Sequence, residues 1–280
     1  MKESESCWIA RGHIVGAEGD TYTAVATPLH QHQGFVASFL TTVFGLGKDD
    51  PAVIAAEIHD MYKPYTMRVE EVDGVKVIGF RGHPYRLSFL DVERHVAETR
   101  GVKEFNAGVR RKVAVATAVG RLHHFINVRD VETFFESLAM SKAYLNRHGV
   151  RASANELRRE ILDGVVLLHI SDMVAGFIEG IICNQSRSDL EEIIDSDSLS
   201  RIEPHIPIAV TYDLTDSNLD VWLYIHGLKK FNIRQTQFSA RYTAYTVSIT
   251  GNRVVNSTQP HDFDVNVHVC HKEHVHNGLC

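Results

Sequence analysis

The sequence lacks the features that define several large classes of protein. No run of about 18 apolar residues occurs, so we expect no membrane-spanning segment and no membrane partner. The first residues, Met1 to Cys7, are polar and acidic and lack the basic start and apolar core of a secretory signal. The 4 cysteines are scattered over 280 residues and do not suggest a disulfide framework. We therefore expect a cytoplasmic protein in a reducing compartment.

Positive charge is also scarce in this chain. There are 29 lysines and arginines against 35 aspartates and glutamates, so the formal net charge is −6. A tight, free-standing nucleic-acid binder usually has a basic excess. A glycine-rich loop of the type Gly-x-x-x-x-Gly-Lys-Ser/Thr is absent as well, which excludes a helicase motor of the P-loop type within this sequence. A nucleic-acid substrate would therefore require partner proteins, or bound divalent ions that offset the negative charge.

The apolar residues, 44% of the chain, are enough for a substantial core, and their periodicity predicts a mainly α fold with a small C-terminal antiparallel β module. Residues 1–27 are expected to form a lead-in strand or loop. Residues 28–186 are expected to form a helical metal-binding domain, with a β-hairpin insert at about 67–81. An acidic linker at 187–206 then precedes the antiparallel β module at 207–280.

Local signals place the start of one helix and the turn of the hairpin. Asp50 and Pro51 have the residue types that favour an N-cap and the first position of a helix. Asp73 and Gly74 separate two short apolar runs, as in a tight hairpin turn. Both signals lie close to residues that can bind metals.

Residues with metal-binding side chains recur through the predicted helical domain. In chain order they are His32, His59, Asp60, His83, His123, His124 and Asp172. Imidazole nitrogens and carboxylate oxygens, when brought together, bind one or two divalent ions, and such ions activate water. A histidine in isolation carries little information in a chain with 17 of them, so the prediction depends on the order of the whole set.

The central part of this set resembles a known motif. Residues 55–64 read Ala-Ala-Glu-Ile-His-Asp-Met-Tyr-Lys-Pro and look like the His-Asp motif of the HD superfamily of metal-dependent phosphohydrolases. Asp172, in an apolar helix followed by small residues, matches the distal aspartate of that family. The full order of His, His-Asp, His, His-His and Asp is similar to the HD nuclease of type I CRISPR interference, either as a domain or as a separate subunit. The resemblance covers about 28–185.

The resemblance implies a centre of two divalent ions. One ion would be held by His32, His59, Asp60 and Asp172. Asp60 would bridge to a second ion, held by His83, His123 and His124. Lys63 would contact a non-bridging phosphate oxygen or orient Asp60. This mixture of nitrogen and oxygen ligands does not distinguish Mn, Ni, Co, Fe, Mg or Zn.

The resemblance also implies a function, namely two-metal hydrolysis of single-stranded DNA or RNA in antiviral defence. Because no helicase motif is present, the partners would be a separate CRISPR-associated helicase and the Cascade surveillance complex. The β module, which has no assigned counterpart, would be the docking surface. Two rival hypotheses remain open: a phosphohydrolase of small nucleotides, and a non-catalytic structural subunit.

Several positions leave alternatives open. His30 lies two residues before His32, although the spacing to Val36 favours His32. His169 lies one helical turn before Asp172 and is either a substitute ligand or a buried core histidine. Tyr62 replaces a small residue of the family motif, which predicts a narrower mouth of the site and favours the small-nucleotide hypothesis.

Overall fold

The computed structural model describes residues 9–124, 131–183, 208–215, 217–225 and 233–271. The whole of the predicted linker, and the C-terminal tail beyond His271, lie outside these residues. The described residues contain the following helices: α1 (Leu29–Val43), α2 (Pro51–Ala56), α3 (Lys63–Thr66), α4 (Phe89–Arg100), α5 (Ala107–Leu122), α6 (Val131–Arg147) and α7 (Ala154–Ile182). Their strands are β1 (Ile9–Glu18), β2 (Thr21–Pro28), β3 (Met67–Val72), β4 (Val75–Phe80), β5 (Ile208–Leu214), β6 (Asn218–Ile225), β7 (Gln237–Thr250) and β8 (Arg253–His271).

The local signals in the sequence correspond to observed elements. Asp50 is the N-cap of α2, and its carboxylate accepts a hydrogen bond from the backbone N–H of Ala52 at 2.9 Å. The hairpin expected at 67–81 is present as β3 and β4, which pair in register from Met67 opposite Phe80 to Val72 opposite Val75. Asp73, at its turn, has a positive φ of 50°. These features are encoded by neighbouring residues, so periodicity and turn chemistry suffice to predict them.

The prediction of a mainly α fold with a small antiparallel β module is wrong. Helices account for 46% and strands for 33% of the structure. The strands β1-β2-β7-β8-β6-β5 form one six-stranded sheet in that order. This sheet is mixed, because β6 pairs parallel with β8. Strands β1 and β2, from the segment predicted as a lead-in, join the sheet through antiparallel pairing of β2 with β7.

One hydrophobic core connects the helices to the sheet. The same buried cluster contains Leu40 of α1, Val115 of α5 and Leu168 of α7 together with Val221 of β6 and Tyr242 of β7. Helix α7 is long and apolar enough to cross a membrane by length and composition alone, but 78% of its most apolar window is buried inside the protein. The core helix of a globular domain has the same properties.

The hairpin packs against β1 in a second, smaller cluster. Its buried members include Ile9 of β1 and Met67 of β3, with Ile78 of β4 packed at its edge. Gly12 of β1 permits this close approach, since a Cβ at that position would lie 2.9 Å from the Ile78 Cδ1 atom. The contact between the hairpin and β1 therefore lies close to two segments of the chain, the one that follows α2 and the one that follows β4.

Candidate metal centre

Five separate parts of the chain bring the predicted ligands together. His32 lies in the first turn of α1, and Asp172 lies in the middle of α7. His59 and Asp60 follow α2, in a turn where the His59 N–H donates to the Ala55 carbonyl at 2.7 Å. His83 precedes the 3₁₀ turn at Pro84–Arg86. The remaining pair directly follows α5: His123 and His124. The site thus depends on packing between distant elements.

The first group of ligands consists of His32, His59, Asp60 and Asp172, each with one ligand atom within 4.8 Å of the others. The His32 Nε2 atom lies 3.0 Å from Asp172 Oδ1 and 3.3 Å from Asp60 Oδ2. The His59 Nε2 atom lies 3.4 Å from the same Asp60 oxygen. Two imidazole nitrogens and two carboxylates therefore converge on one point.

The second group consists of Asp60, His83, His123 and His124. Here the other oxygen of Asp60 is used: Oδ1 lies 2.8 Å from His83 Nε2 and 3.4 Å from His123 Nε2. The His124 side chain, 52% exposed, lies on the open side of the group. Asp60 is thus shared between the groups, with one oxygen facing each.

Backbone carbonyls fix the orientation of three of the four buried histidines around Asp60. The Nδ1 atoms of His59, His83 and His123 lie 2.8, 3.1 and 2.6 Å from the carbonyls of Ala56, Phe80 and Gly120. A carbonyl only accepts, so each Nδ1 donates its proton to the backbone, and each Nε2 points into the site, where a neutral ring would offer its lone pair to a metal. Such outer hydrogen bonds orient metal-ligating histidines in general.

Several of the converging atoms have no hydrogen-bond partner. Both carboxylate oxygens of Asp60 and the Nε2 atoms of His83 and His123 are buried without a hydrogen bond of acceptable geometry. Lone pairs that face each other in a buried site are unfavourable unless a cation lies between them. The residues present therefore fit a bound divalent metal, and each of the two groups can hold one.

The charge balance of the site is consistent with this chemistry. Burial raises the pKa of Asp60, but the nearby His59 and Lys63 more than offset it, so the pKa is well below its usual range. Burial likewise raises the pKa of Asp172, but the nearby His32 and His59 more than offset it, so this pKa is also well below its usual range. Burial lowers the pKa of His123, which favours the neutral imidazole that metals bind.

Lys63 lies beside the Asp60 carboxylate. Its Nζ atom is 2.5 Å from Asp60 Oδ2 and 3.4 Å from the Ala10 carbonyl, and it lies 5.4 Å from the centre of the Phe80 ring. Burial lowers the pKa of Lys63, whereas the Asp60 and Asp172 carboxylates raise it above the usual value. The ammonium group therefore stays charged and holds Asp60 in place.

A cavity of about 420 Å³ opens onto both groups. Its lining includes His32, His124 and Asp172 from the ligand set, together with Arg11 and Phe80. Strand β1, which sequence analysis treated as a lead-in, therefore forms one wall. The half-buried Arg11 places a guanidinium beside the candidate metal centre, a feature that no local sequence signal indicates.

Three residues with open assignments now have positions. His30 is exposed and lies in neither metal group, whereas His32 is 2% exposed and lies in the first. His169 lines the cavity, but its Nδ1 is 2.8 Å from the His123 carbonyl, and it belongs to neither group. Tyr62 does not line this cavity, because its hydroxyl donates to Asp91 at 3.0 Å. The narrowing of the mouth predicted from Tyr62 is therefore wrong.

Sequence analysis also missed Glu179, a buried carboxylate whose Oε1 lies 3.0 Å from His32 Nδ1. A signal for it exists, since Glu179 follows Asp172 by two helical turns and so shares its face of α7.

Scans of family models, curated proteins and solved structures found no match to this chain. The fold and the site thus define a candidate metal-binding protein of mixed α and β structure.

Proposed function

We propose that this protein is a metal-dependent hydrolase of phosphodiester bonds, which cleaves single-stranded DNA or RNA at a centre of two divalent ions. The observation that carries the proposal is the shared carboxylate of Asp60, whose two oxygens face two different groups of imidazoles. Divalent ions at such a centre activate water as a nucleophile and polarise phosphate oxygens. The chain's own contribution is to hold and orient the groups around them.

Individual residues have distinct roles in this proposal. Asp60 connects the two metal groups, and Lys63 fixes the Asp60 carboxylate at a distance of 2.5 Å. The exposed ring of His124 and the half-buried Arg11 lie on the cavity side, where a substrate phosphate would enter. A guanidinium is well suited to bind phosphate oxygens. The phosphate would thus lie between Arg11 of β1 and the metal ligands.

The resemblance to the HD nucleases of type I CRISPR interference supplies a biological setting for the same chemistry. In that setting the protein acts in the cytoplasm with a separate helicase and the Cascade surveillance complex. The net charge of −6 supports this arrangement, because partners would then bring the single strand to an otherwise acidic protein.

The test of this proposal compares the wild type with Asp60→Asn, which keeps the side-chain size but removes the charge. We expect the wild type to cleave single-stranded DNA in the presence of Mn or Ni, and Asp60→Asn to lose cleavage. Asp213→Asn is a matched control, since Asp213 is exposed on the edge strand β5 and belongs to neither metal group. Equal cleavage by wild type and Asp60→Asn, or none by either, would contradict the proposal.

A second candidate function is hydrolysis of small nucleotides. The cavity volume of about 420 Å³ favours it, because this lies within the range of small-molecule sites. The same purified protein would then release nucleoside or phosphate from nucleotides and leave polymers intact.

A third possibility, a structural subunit with a degenerate site, predicts less than about one metal per chain and folding that is insensitive to chelation.

A further inference from the structure

Strand β7 is attached to α1 directly beside the metal ligand His32. The Gln31 side chain donates to the Arg241 carbonyl at 2.9 Å and accepts from the Thr243 N–H at 2.9 Å. Two hydrogen bonds from one side chain therefore fix the strand on both sides of Tyr242. The helical turn that carries His32 is thus tied to the C-terminal part of the sheet.

Tyr242 lies between these two bonds in the sequence, and its side chain extends into the core. It is fully buried, and its ring centre lies 5.3 Å from that of Phe35 on α1. Burial and the Glu179 carboxylate both raise the pKa of Tyr242. The contact with Phe35 packs Tyr242 against the helix that carries His32.

Glu179 faces His32. Its side chain is 1% exposed, and its Oε1 atom lies 3.0 Å from His32 Nδ1. The opposite nitrogen of the same ring, Nε2, lies 3.0 Å from Asp172 and 3.3 Å from Asp60. A carboxylate that accepts from Nδ1–H leaves the Nε2 lone pair directed at the metal position and raises the basicity of the ring.

We propose that Glu179 is a positioning residue that orients His32 for metal binding, on a turn of α1 that Gln31 fixes to β7 of the sheet. The other three buried histidines of the site use backbone carbonyls for the same purpose. His32 is the one buried histidine among the described ligands whose Nδ1 faces a side-chain carboxylate. This inference rests on the two-metal part of the proposed function and not on its substrate.

The test measures Co²⁺ affinity and the visible absorption of bound Co²⁺ in a His83→Ala background, which isolates the first metal group. We expect Glu179→Gln to weaken Co²⁺ binding by about 10- to 100-fold, as for other outer partners of metal-bound histidines. The absorption spectrum should also change, because the His32 ring loses its fixed orientation. Glu179→Asp, which keeps the charge but draws the carboxylate back from His32, should cause a smaller loss in the same direction.

A second pair of residues in this chain provides matched controls. Tyr144 is largely buried, and its hydroxyl donates to Glu93 at 2.5 Å, but neither residue touches the metal groups. Glu93→Gln and Glu93→Asp therefore make the same chemical changes outside the site. We expect both to leave Co²⁺ affinity and spectrum unchanged, whatever their effect on thermal unfolding.

Wild-type Co²⁺ affinity and spectrum in Glu179→Gln would overturn the inference, as would equal losses in the controls. If Glu179→Gln does not fold, as judged by circular dichroism, Glu179→Asp decides: unchanged Co²⁺ binding in that variant overturns the inference. These readouts do not involve cleavage. A wild type that binds Co²⁺ but cleaves no substrate would contradict the proposed function and leave the role of Glu179 supported by the binding data.

Discussion

Asp60 has a different environment at each of its two oxygens. Oδ2 faces His32, His59 and Lys63, whereas Oδ1 faces His83 and His123. The two ligand groups are therefore separable by mutation, although they share one carboxylate. A change in a ligand that belongs to one group should leave the other group complete.

His83→Ala removes a ligand of the second group alone. We expect bound metal to fall from two ions to one per chain, measured by plasma mass spectrometry after dialysis, with cleavage lost because two-metal hydrolysis needs both ions. His95→Ala is the control, since the His95 Nε2 atom lies 2.5 Å from Glu57, outside both groups. Two ions retained in His83→Ala would contradict the assignment of the second group.

At the scale of elements, the packing of α5 beside the turn after α2 positions four of the seven ligands. Gly120 of α5 lies at this contact and leaves room there for the Leu87 side chain. A Cβ at Gly120 would lie 2.5 Å from Leu87 Cδ2 and 3.9 Å from the Cα of His59. Leu87 is fully buried, so its side chain has little room to move away. Packing at this contact therefore bears on both stability and ligand geometry.

We expect Gly120→Ala to lower the free energy of unfolding by about 1–3 kcal/mol, the usual effect of overpacking a core. Gly108→Ala provides a contrast in the same helix, because the nearest atom to its Cβ would be Asn106 Oδ1 at 3.4 Å. That variant should be neutral or gain up to about 1 kcal/mol through reduced backbone entropy. Urea unfolding measures both, and a stabilised Gly120→Ala would show that the contact is not tight.

The elements themselves differ in how far the sequence predicts them. The apolar spacing of α1, the Asp50 N-cap and the Asp73-Gly74 turn are local signals, and each corresponds to an observed feature. The pairing of β2 with β7 is not local, since it joins Thr21 to Thr250. Alternation with period two indicates a strand but carries no information on its partner. For that reason the six-stranded mixed sheet was not predicted.

At the scale of the whole molecule, the distinction between local signals and contacts of distant segments also applies to the metal centre. The ligand residues follow from their order and motif, and the structure brings them into two groups that share Asp60. The supporting residues come from distant parts of the fold: Arg11 from β1 and Tyr242 from β7. Their roles depend on the sheet. They could therefore not be predicted while its strands were treated as a lead-in and a separate module.

The shared carboxylate of Asp60 is the feature on which the proposed two-metal chemistry depends. The most direct measurement is a crystal structure of the wild-type protein soaked in Mn²⁺, with anomalous scattering used to locate the ions. We expect two anomalous peaks about 3.5–4 Å apart, as two-metal hydrolases require. One peak should lie beside His32 and His59, and the other beside His83 and His123, with Asp60 between them. A single peak, or none near Asp60, would contradict the proposal.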